Sequence, residues 1–456
     1  MDVLLIYPAD GLRFFQSMVP LGMLSIATVI KEAGFSVRMI DMNHYRGNLS
    51  KDLREWKPAI VGIGGTTPSR IKSFRIAGKV KAASPETVVV YGGVNASFTA
   101  REVLENIPEI DYIIMGEGEL SFRAFCDSLL RQSADKLQTI DGLAYRSEKG
   151  IILNPSKRIS DLAALPFPDR DLLPGDYRLD MDFIPGIAEP LITSRGCPAI
   201  CNFCSASRMF PGGVRYRPMD QVGKEIAYMM ERRKFQGLKV FDSTFTAGRE
   251  HVLNFCTTVK PFNLQWECEI RADTVDYELL KTMKEAGCYY VNMGLESSDA
   301  DRLKKIAKGI STDQALKVME DCRELGILIK VFFTFGHPGQ TFKECKKDIQ
   351  FIKKHRKHID FYAVTPGLKV YPGTKLEKEA RESGFLPPNF SWITSRPSLG
   401  NLLLLETSNT FILFQKGLGP LRLAQIVFIL LVSGLYSTPE FMVRMIRENL
   451  KFLFRK

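Results

Sequence analysis

The sequence predicts an α/β protein built from a doubly wound parallel sheet, a partial barrel and a helical tail. Three observations support this prediction. Short apolar runs alternate with helix-like segments over residues 1–135. Six strand-then-helix units follow from Leu191 onward, and a Pro-rich stretch lies between the two series. Alternating strands and helices are typical of parallel sheets covered by helices. The expected domain boundaries are 1–135, 136–185, 186–375 and 376–456.

The composition is that of a globular protein. The chain has 456 residues, of which 45% are hydrophobic, and a net charge of +11. A basic balance is compatible with nucleic acid, an anionic membrane surface or anionic ligands. No Arg-rich tract or nucleic-acid motif is present, so we do not expect a nucleic-acid partner. The first residues lack a basic stretch and carry too short an apolar run for a signal peptide, so we expect a cytoplasmic location.

The first part resembles a Rossmann-like domain in its order of elements. Continuous apolar runs, typical of strands buried on both faces, form five predicted strands at Val3–Tyr7, Val37–Ile40, Ala59–Ile63, Thr87–Tyr91 and Tyr112–Met115. Ligands of such sheets bind beyond the carboxyl ends of the strands. Those ends are rich in glycine, which lets a flat ligand approach the backbone. The first strand lacks a following Gly-x-Gly-x-x-Gly, which argues against NAD.

Residues 136–185 are predicted to link the two parts. Thr139–Ala144 and Gly150–Leu153 suggest a small hairpin, and residues 165–170 are Pro-rich and extended. The following segment predicts a partial (β/α)6 barrel of the TIM type. Its strands are expected at Leu191–Ser194, Leu238–Phe241, Trp266–Ile270, Tyr289–Met293, Ile327–Phe335 and Phe361–Val364. Catalytic residues of parallel barrels lie at the carboxyl ends of the strands.

The chemistry is predicted to centre on Cys197, Cys201 and Cys204, which follow the first barrel strand. Three thiolates on one loop can ligate an iron–sulfur cluster and leave its fourth iron open. The alternatives are a zinc site and unrelated buried cysteines. Zinc normally takes four protein ligands, often as two separated pairs, and no second pair is present. The other six cysteines are scattered, and we expect them to be free and buried.

The Cys-x3-Cys-x2-Cys spacing, with Phe203 before the last cysteine, resembles the radical S-adenosylmethionine (SAM) superfamily. The resemblance implies a 4Fe-4S cluster that chelates SAM and cleaves it reductively to a 5′-deoxyadenosyl radical. It also implies SAM contacts from strand ends: Glu296 and Ser297 with the ribose or amino acid part, Arg271 with the carboxylate or ribose, and Asp242 near SAM or substrate. Gly336 and Gly339 would leave room for the adenine.

Other roles remain open for several of these residues. Arg271 could pair with a neighbouring carboxylate, and Asp242 could cap the helix that begins near Gly248. His337 is either an acid–base group or a turn residue, and Tyr371 is either a radical relay or a packing residue.

The whole pattern resembles the cobalamin-binding subfamily, which includes an anaerobic Mg-protoporphyrin monomethyl ester cyclase and C-methylases. The likeness covers roughly residues 1–375. It implies cobalamin contacts from the glycine-rich strand ends, at Thr66, Thr67, Gly92, Gly93, Gly116, Glu117, Gly118 and Glu119. The Asp-x-His-x-x-Gly of many corrinoid proteins is absent: Asp41 and His44 are one residue too far apart. We therefore expect His44 to be a solvated loop residue rather than a cobalt ligand.

The tail combines an uncharged apolar stretch at 423–436 with alternating apolar and basic residues at 441–456. The apolar stretch is shorter than the roughly 20 residues that span a membrane. A basic amphipathic helix suits the surface of an anionic membrane, so peripheral contact is one interpretation and a cap over the barrel is the other.

The resemblance implies an anaerobic enzyme that methylates an unactivated carbon of a small or lipophilic substrate, through methylcobalamin and a second SAM. Its electron donor would be a low-potential protein such as ferredoxin or flavodoxin. One alternative is oxidative cyclisation or rearrangement with the same cofactors. Further alternatives are a non-catalytic iron–sulfur or corrinoid-binding protein and a membrane-anchored binding module.

Overall fold

The structure, a computed structural model, describes residues 1–9, 19–131, 137–173, 177, 179–395, 402–405, 410–413 and 418–432. Within these residues the chain forms two seven-stranded sheets, a two-stranded ribbon and a three-stranded sheet.

The first sheet has strand order β2-β1-β3-β4-β5-β6-β7. Strands β1 to β5 run parallel, and β6 and β7 form a hairpin that extends this sheet antiparallel. The sequence predicted a hairpin at Thr139–Ala144 and Gly150–Leu153 within a linker, whereas its first strand is Leu143–Ser147 and it belongs to the first sheet. The elements are β1 Val3–Tyr7, α1 Leu21–Glu32, β2 Val37–Asp41, α2 Leu49–Trp56, β3 Ile60–Gly64, α3 Arg70–Ala83, β4 Val88–Gly92, α4 Val94–Asn106, β5 Tyr112–Ile114, α5 Gly118–Leu130, β6 Leu143–Ser147 and β7 Gly150–Leu153.

Helix α2 was not predicted from the sequence. It is short and buries only Leu49 and Leu53, so it offers too few apolar positions for a periodic signal. Its start is fixed locally, because the Asn48 side chain accepts a hydrogen bond from the Lys51 amide.

The second sheet curls into the predicted half-barrel, with order β16-β15-β14-β13-β12-β9-β8. Six of its strands are parallel, and β8 pairs antiparallel at the edge. The elements of this part are β8 Leu179–Asp180, β9 Ile187–Leu191, β10 Ser194–Arg195, α6 Ala206–Met209, β11 Arg215–Tyr216, α7 Met219–Arg232, β12 Gly237–Val240, α8 Arg249–Val259, β13 Gln265–Ile270, α9 Tyr277–Glu285, β14 Cys288–Glu296, α10 Ala300–Lys305, α11 Thr312–Leu325, β15 Leu328–Phe335, α12 Phe342–His355 and β16 Phe361–Pro366.

The first barrel strand differs from its predicted bounds. It begins at Ile187 rather than Leu191, and Thr193 lies outside it. Ser194–Arg195 pairs instead with Arg215–Tyr216 as an antiparallel ribbon, β10–β11. The apolar run is therefore shared between the end of a strand and a turn, which periodicity cannot separate.

The described part of the C-terminal region contains helices, as expected, and also strands that the sequence analysis did not predict. Strands β17, β19 and β18 form an antiparallel sheet. The elements are β17 Leu368–Val370, α13 Lys375–Glu382, β18 Leu402–Leu405, β19 Thr410–Leu413 and α14 Pro420–Val432.

Helix α14 packs on the barrel, where Leu423, Ile426 and Leu430 join the core. Among the described residues, no helix has both the length and the apolar character needed to cross a membrane. The predicted basic amphipathic segment at 441–456 lies outside the described residues.

The region after the barrel also holds the two large parts together. Phe390 and Trp392 are buried in the core of the first sheet, and Arg70 Nε donates to the Trp392 carbonyl at 2.9 Å. Phe203, on the cysteine loop, packs against both cores. The carboxyl ends of the two sheets consequently face a common space.

Candidate active site between the two sheets

The three clustered cysteines lie on the loop between β10 and α6. Cys197 and Cys201 are half-buried and Cys204 is exposed. The backbone between them is anchored on two sides, because the Asn202 amide donates to the Ile306 carbonyl at 3.1 Å and the Leu376 amide donates to the Asn202 carbonyl at 2.8 Å. The loop is thus fixed to both the barrel and helix α13.

The remaining six cysteines are free and buried, as predicted. Burial raises the pKa of Cys126, Cys256 and Cys345 to about 12, so these thiols stay protonated at neutral pH. In the part of the chain that the structure describes, no three His, Cys, Asp or Glu side chains converge closely enough to hold one metal ion. The three thiols of the loop need not converge on one ion, because each cysteine of an iron–sulfur cluster binds a different iron. Three thiols on one segment therefore fit a cluster with three cysteine ligands.

Arg271 and Glu296, from neighbouring strand ends, are linked beside this loop by hydrogen bonds to Lys308. Glu296, with a φ of 71°, ends β14 at an irregularity in its pairing with β15. Its carboxylate accepts hydrogen bonds from Lys308 Nζ at 3.2 Å and from Thr334 Oγ1 at 2.8 Å. Arg271, at the end of β13, donates to the Lys308 carbonyl at 2.8 Å. Arg271 and Glu296 are therefore joined through Lys308.

Arg271 also makes two bonds of 2.9 Å to Asp273, so the pairing considered from the sequence is present. Sequence reasoning missed Lys308, because a lysine in the turn after a short helix has no distinguishing pattern. Burial raises the pKa of Cys201, while the charges of Lys308 and Arg271 act to lower it. Both cations therefore act electrostatically on the cysteine loop.

Ser297 and Asp242 are committed to contacts within the protein. The Ser297 hydroxyl is fully buried and lies 3.0 Å from Asp348 Oδ1, on α12. Asp242 is 1% exposed. It does not cap α8, whose first residue is preceded by Gly248 without a side-chain cap.

Asp242 instead accepts four hydrogen bonds from two adjacent residues. Oδ1 receives the amides of Thr193 and Ser194 at 2.7 and 3.0 Å. Oδ2 receives their hydroxyls at 2.6 and 2.7 Å. Thr193 Oγ1 also lies 2.8 Å from His251 Nε2. Asp242 thus holds the bend from which the chain proceeds to Cys197.

The residues predicted near the adenine lie in one turn after β15. Gly336, with a φ of 93°, donates its amide to Gln340 Oε1 at 2.8 Å, and a Cβ there would lie 3.2 Å from the Leu368 amide nitrogen. Gly339 faces open space. His337 is fully buried, and its ring centre lies 5.9 Å from that of Phe203. Burial, with the charges of Arg302 and Lys308, lowers the pKa of His337 to about 3.

A ring with this pKa is neutral at physiological pH, and the acid–base and turn interpretations of His337 both remain predictions. Tyr371 is partly buried, which raises the pKa of its hydroxyl, and the neighbouring Cys204 adds to that shift. The relay and packing interpretations of Tyr371 both remain predictions.

A cavity of about 480 Å³ opens between the glycine-rich ends of the first sheet and the start of the barrel. This volume lies in the range of pockets that hold organic ligands, about 300–1,000 Å³. The first sheet contributes seven of the predicted cobalamin contacts, which are Thr66, Gly92, Gly93, Gly116, Glu117, Gly118 and Glu119. The barrel side contributes Ile192, Ser194, Arg195, Met209, Phe210, Phe241 and Ser243.

The glycines of this cavity have a steric reason. A Cβ on Gly118 would lie 3.0 Å from Ile26 Cδ1, and one on Gly64 would lie 2.6 Å from the Met23 methyl group. Thr67 does not line the cavity; its carbonyl accepts a hydrogen bond from Arg70. His44 also lies outside the lining and packs against the Tyr177 ring at 4.5 Å. The residues that line the cavity fit a flat, bulky cofactor, and His44 is not among them.

Two family models match separate parts of the chain. The B12 binding domain family model matches residues 10–126, and the Radical SAM superfamily model matches residues 191–352. An uncharacterised methyltransferase of Pyrococcus horikoshii is 30% identical over 376 residues, which cover 80% of this chain and 79% of the relative.

An anaerobic magnesium-protoporphyrin IX monomethyl ester cyclase of Rubrivivax gelatinosus is 27% identical over 358 residues, covering 75% of this chain and 63% of the relative. The fold is similar to that of the radical SAM methyltransferase TsrM of Kitasatospora setae, solved with tryptophan and a SAM analogue. The TM-score is 0.76 at 18% identity, over 94% of this chain and 88% of TsrM.

Proposed function

The chain belongs to the radical SAM superfamily and carries a B12-binding domain, and from this premise we propose that it methylates an unactivated carbon of a small or lipophilic substrate. The domains imply a 4Fe-4S cluster, SAM and cobalamin. Together these groups supply a carbon-centred radical and a methyl donor. One observation carries the proposal: a single cavity is lined by the glycine-rich ends of the first sheet and by residues that flank the cysteine loop.

The chain's own residues would serve the cofactors in different ways. Cys197, Cys201 and Cys204 would hold the cluster. Lys308 Nζ has further N–H donors beyond its bond to Glu296, and it would bind the carboxylate of SAM. Glu296 would orient Lys308 and accept from the ribose hydroxyls. In this proposal Asp242 and Ser297 act on position only, since their oxygens bond to neighbouring residues.

The preference for a lipophilic substrate has modest local support. Ile200, on the cysteine loop, is 76% exposed and presents an aliphatic surface there. Phe210 and Phe241 add apolar surface to the cavity wall on the same side.

The decisive experiment is anaerobic purification of the enzyme with cobalamin, followed by optical spectra and a SAM cleavage assay. We expect a corrinoid spectrum, iron and sulfide at cluster stoichiometry, and release of 5′-deoxyadenosine. Candidate substrates are then screened by product mass, which rises by one CH2 unit on methylation. Intact iron without SAM cleavage would instead support a non-catalytic electron carrier.

Cyclisation or rearrangement with the same cofactors is a second candidate. The similarity to the Rubrivivax cyclase favours it, at nearly the same identity as the methyltransferase relative. A product that loses hydrogen and gains no carbon would establish it. A low-potential ferredoxin or flavodoxin as electron donor and peripheral contact of the tail with an anionic membrane remain part of the proposal. Flotation of the full chain with anionic vesicles tests the membrane contact.

A further inference from the structure

Four charged side chains meet where the first domain touches the stem of the cysteine loop. Arg195 Nη1 donates to Glu117 Oε1 at 2.7 Å, and Arg195 Nη2 donates to Glu119 Oε1 at 2.5 Å. Arg215 Nη1 donates to the other oxygen of Glu117 at 2.7 Å. Glu117 also accepts the Ile159 amide at 2.9 Å. We call Glu117, Glu119, Arg195 and Arg215 the interdomain clamp.

The clamp is buried and balanced in charge. The side chains of Glu117 and Glu119 are 3% and 4% exposed, and those of Arg195 and Arg215 are 18% and 7% exposed. Two positive and two negative groups leave no net charge. Removing one member of such a set leaves an uncompensated buried charge, which is strongly destabilising.

Each side of the clamp is tied to a cofactor position. Arg195 is followed directly by Gly196 and Cys197, and Arg215 pairs with it across the β10–β11 ribbon, from which the cysteine loop projects. Glu117 and Glu119 flank the first residue of α5, and both line the cavity assigned to cobalamin, as does Arg195.

The chemistry of the clamp also suits its place on the cavity wall. The rim of a corrin ring carries neutral carboxamides, which cannot balance the charge of an ionised wall. Within the clamp the two carboxylates are balanced by the two guanidinium groups. The charges of the clamp therefore balance without an ionic ligand, and the pairing of the four groups indicates a role in geometry rather than in binding.

We propose that the interdomain clamp is a positioning device that sets the distance between cobalamin in the cavity and the cluster on the cysteine loop. This inference rests on the proposed function for its cofactors, but the device is built from the chain's own residues. Because the arginines lie on the stem of the cysteine loop and the carboxylates lie on the cavity wall, any shift of one cofactor site relative to the other must stretch these bonds.

The test uses Glu119→Gln, which keeps the size of the side chain but removes its charge, and Arg195→Lys, which keeps the charge but cannot bond the two carboxylates through separate nitrogens. The matched control is Glu267→Gln, which removes a buried carboxylate paired with Lys239 at 3.3 Å inside the barrel. The first measurement is pulsed EPR of the spin–spin interaction between cob(II)alamin and the reduced cluster in the full chain. We expect one narrow distance in the wild type and the control, and a distribution at least twofold wider in both clamp variants.

A second measurement does not depend on either cofactor. Amide hydrogen exchange of the purified chain should increase in residues 196–214 of the clamp variants and stay at the wild-type level in β13 and β14. Clamp variants with wild-type distance widths and wild-type exchange would overturn the proposal. For a variant that loses a cofactor, amide hydrogen exchange alone tests the proposal. A wild-type enzyme without cob(II)alamin signal would instead refute the proposed function, and exchange would still decide the clamp.

Discussion

The four hydrogen bonds at Asp242 lead to a sharp prediction for Asp242→Ala. The substitution removes the acceptor of two backbone amides and two hydroxyls, on Thr193 and Ser194, which are 0% and 2% exposed. The hydroxyls can rotate toward other acceptors, and Thr193 has His251 within 2.8 Å. The amides cannot rotate, so two buried N–H groups lose their partner.

The magnitude follows from those two amides. An unsatisfied buried donor costs about 1–3 kcal/mol, which gives roughly 2–6 kcal/mol for the pair. For a unit the size of the barrel, about 2–4 °C of melting temperature is lost per kcal/mol, so we expect a decrease of roughly 4–24 °C. Because the same bonds hold the bend before Cys197, iron uptake on anaerobic reconstitution should also fall.

The assay is thermal unfolding with iron analysis of the same preparations. Asp276→Ala is the control, since Asp276 caps α9 and pairs with Arg249 in an exposed position. Loss of an exposed cap costs about 1 kcal/mol, and iron content should not change. If Asp242→Ala melted within a degree of the control and took up iron normally, the role assigned to these bonds would be wrong.

Three further outcomes are expected. Cys204→Ala should reduce iron to background and abolish 5′-deoxyadenosine formation, whereas Cys256→Ala, at a buried free thiol, should retain both. Gly118→Leu should lower cobalamin affinity about tenfold or more by filling the cavity, a loss of about 1.4 kcal/mol, while Gly78→Ala, in open space on α3, should bind normally in a cobalamin titration. Burial lowers the pKa of His251 to about 4, so the unfolded chain binds an extra proton as the pH falls below about 6.5, and stability decreases. Because of His251, the protein should be about 2 kcal/mol less stable at pH 5 than at pH 7. His251→Gln should therefore give a flatter dependence of the free energy of unfolding on pH in denaturant titrations. An unchanged pH dependence would contradict the low pKa of His251.

Much of the architecture could be predicted from the sequence. Strands buried on both faces leave continuous apolar runs, so β1, β3 and the barrel strands were located to within a few residues. Gly326 ends helix α11 with a φ of 63°, a conformation that glycine adopts readily at a helix end. The spacing of Cys197, Cys201 and Cys204 predicted the cluster loop, because three ligands on one short segment are a local property of the sequence.

The sequence by itself determined the order of elements, the cysteine loop and the glycine-rich strand ends, since each depends on near neighbours in the chain. Only the tertiary structure decided the partners of the charged residues. Asp242 bonds to residues 48 and 49 positions away, and Arg195 bonds to Glu117 at 78 positions. Lys308 could be recognised as a site residue only from its hydrogen bond to Glu296 in the structure. Which buried charged residues pair depends on how the two sheets pack against each other. Neither the periodicity of a segment nor the spacing of a motif encodes contacts between residues so far apart in the chain.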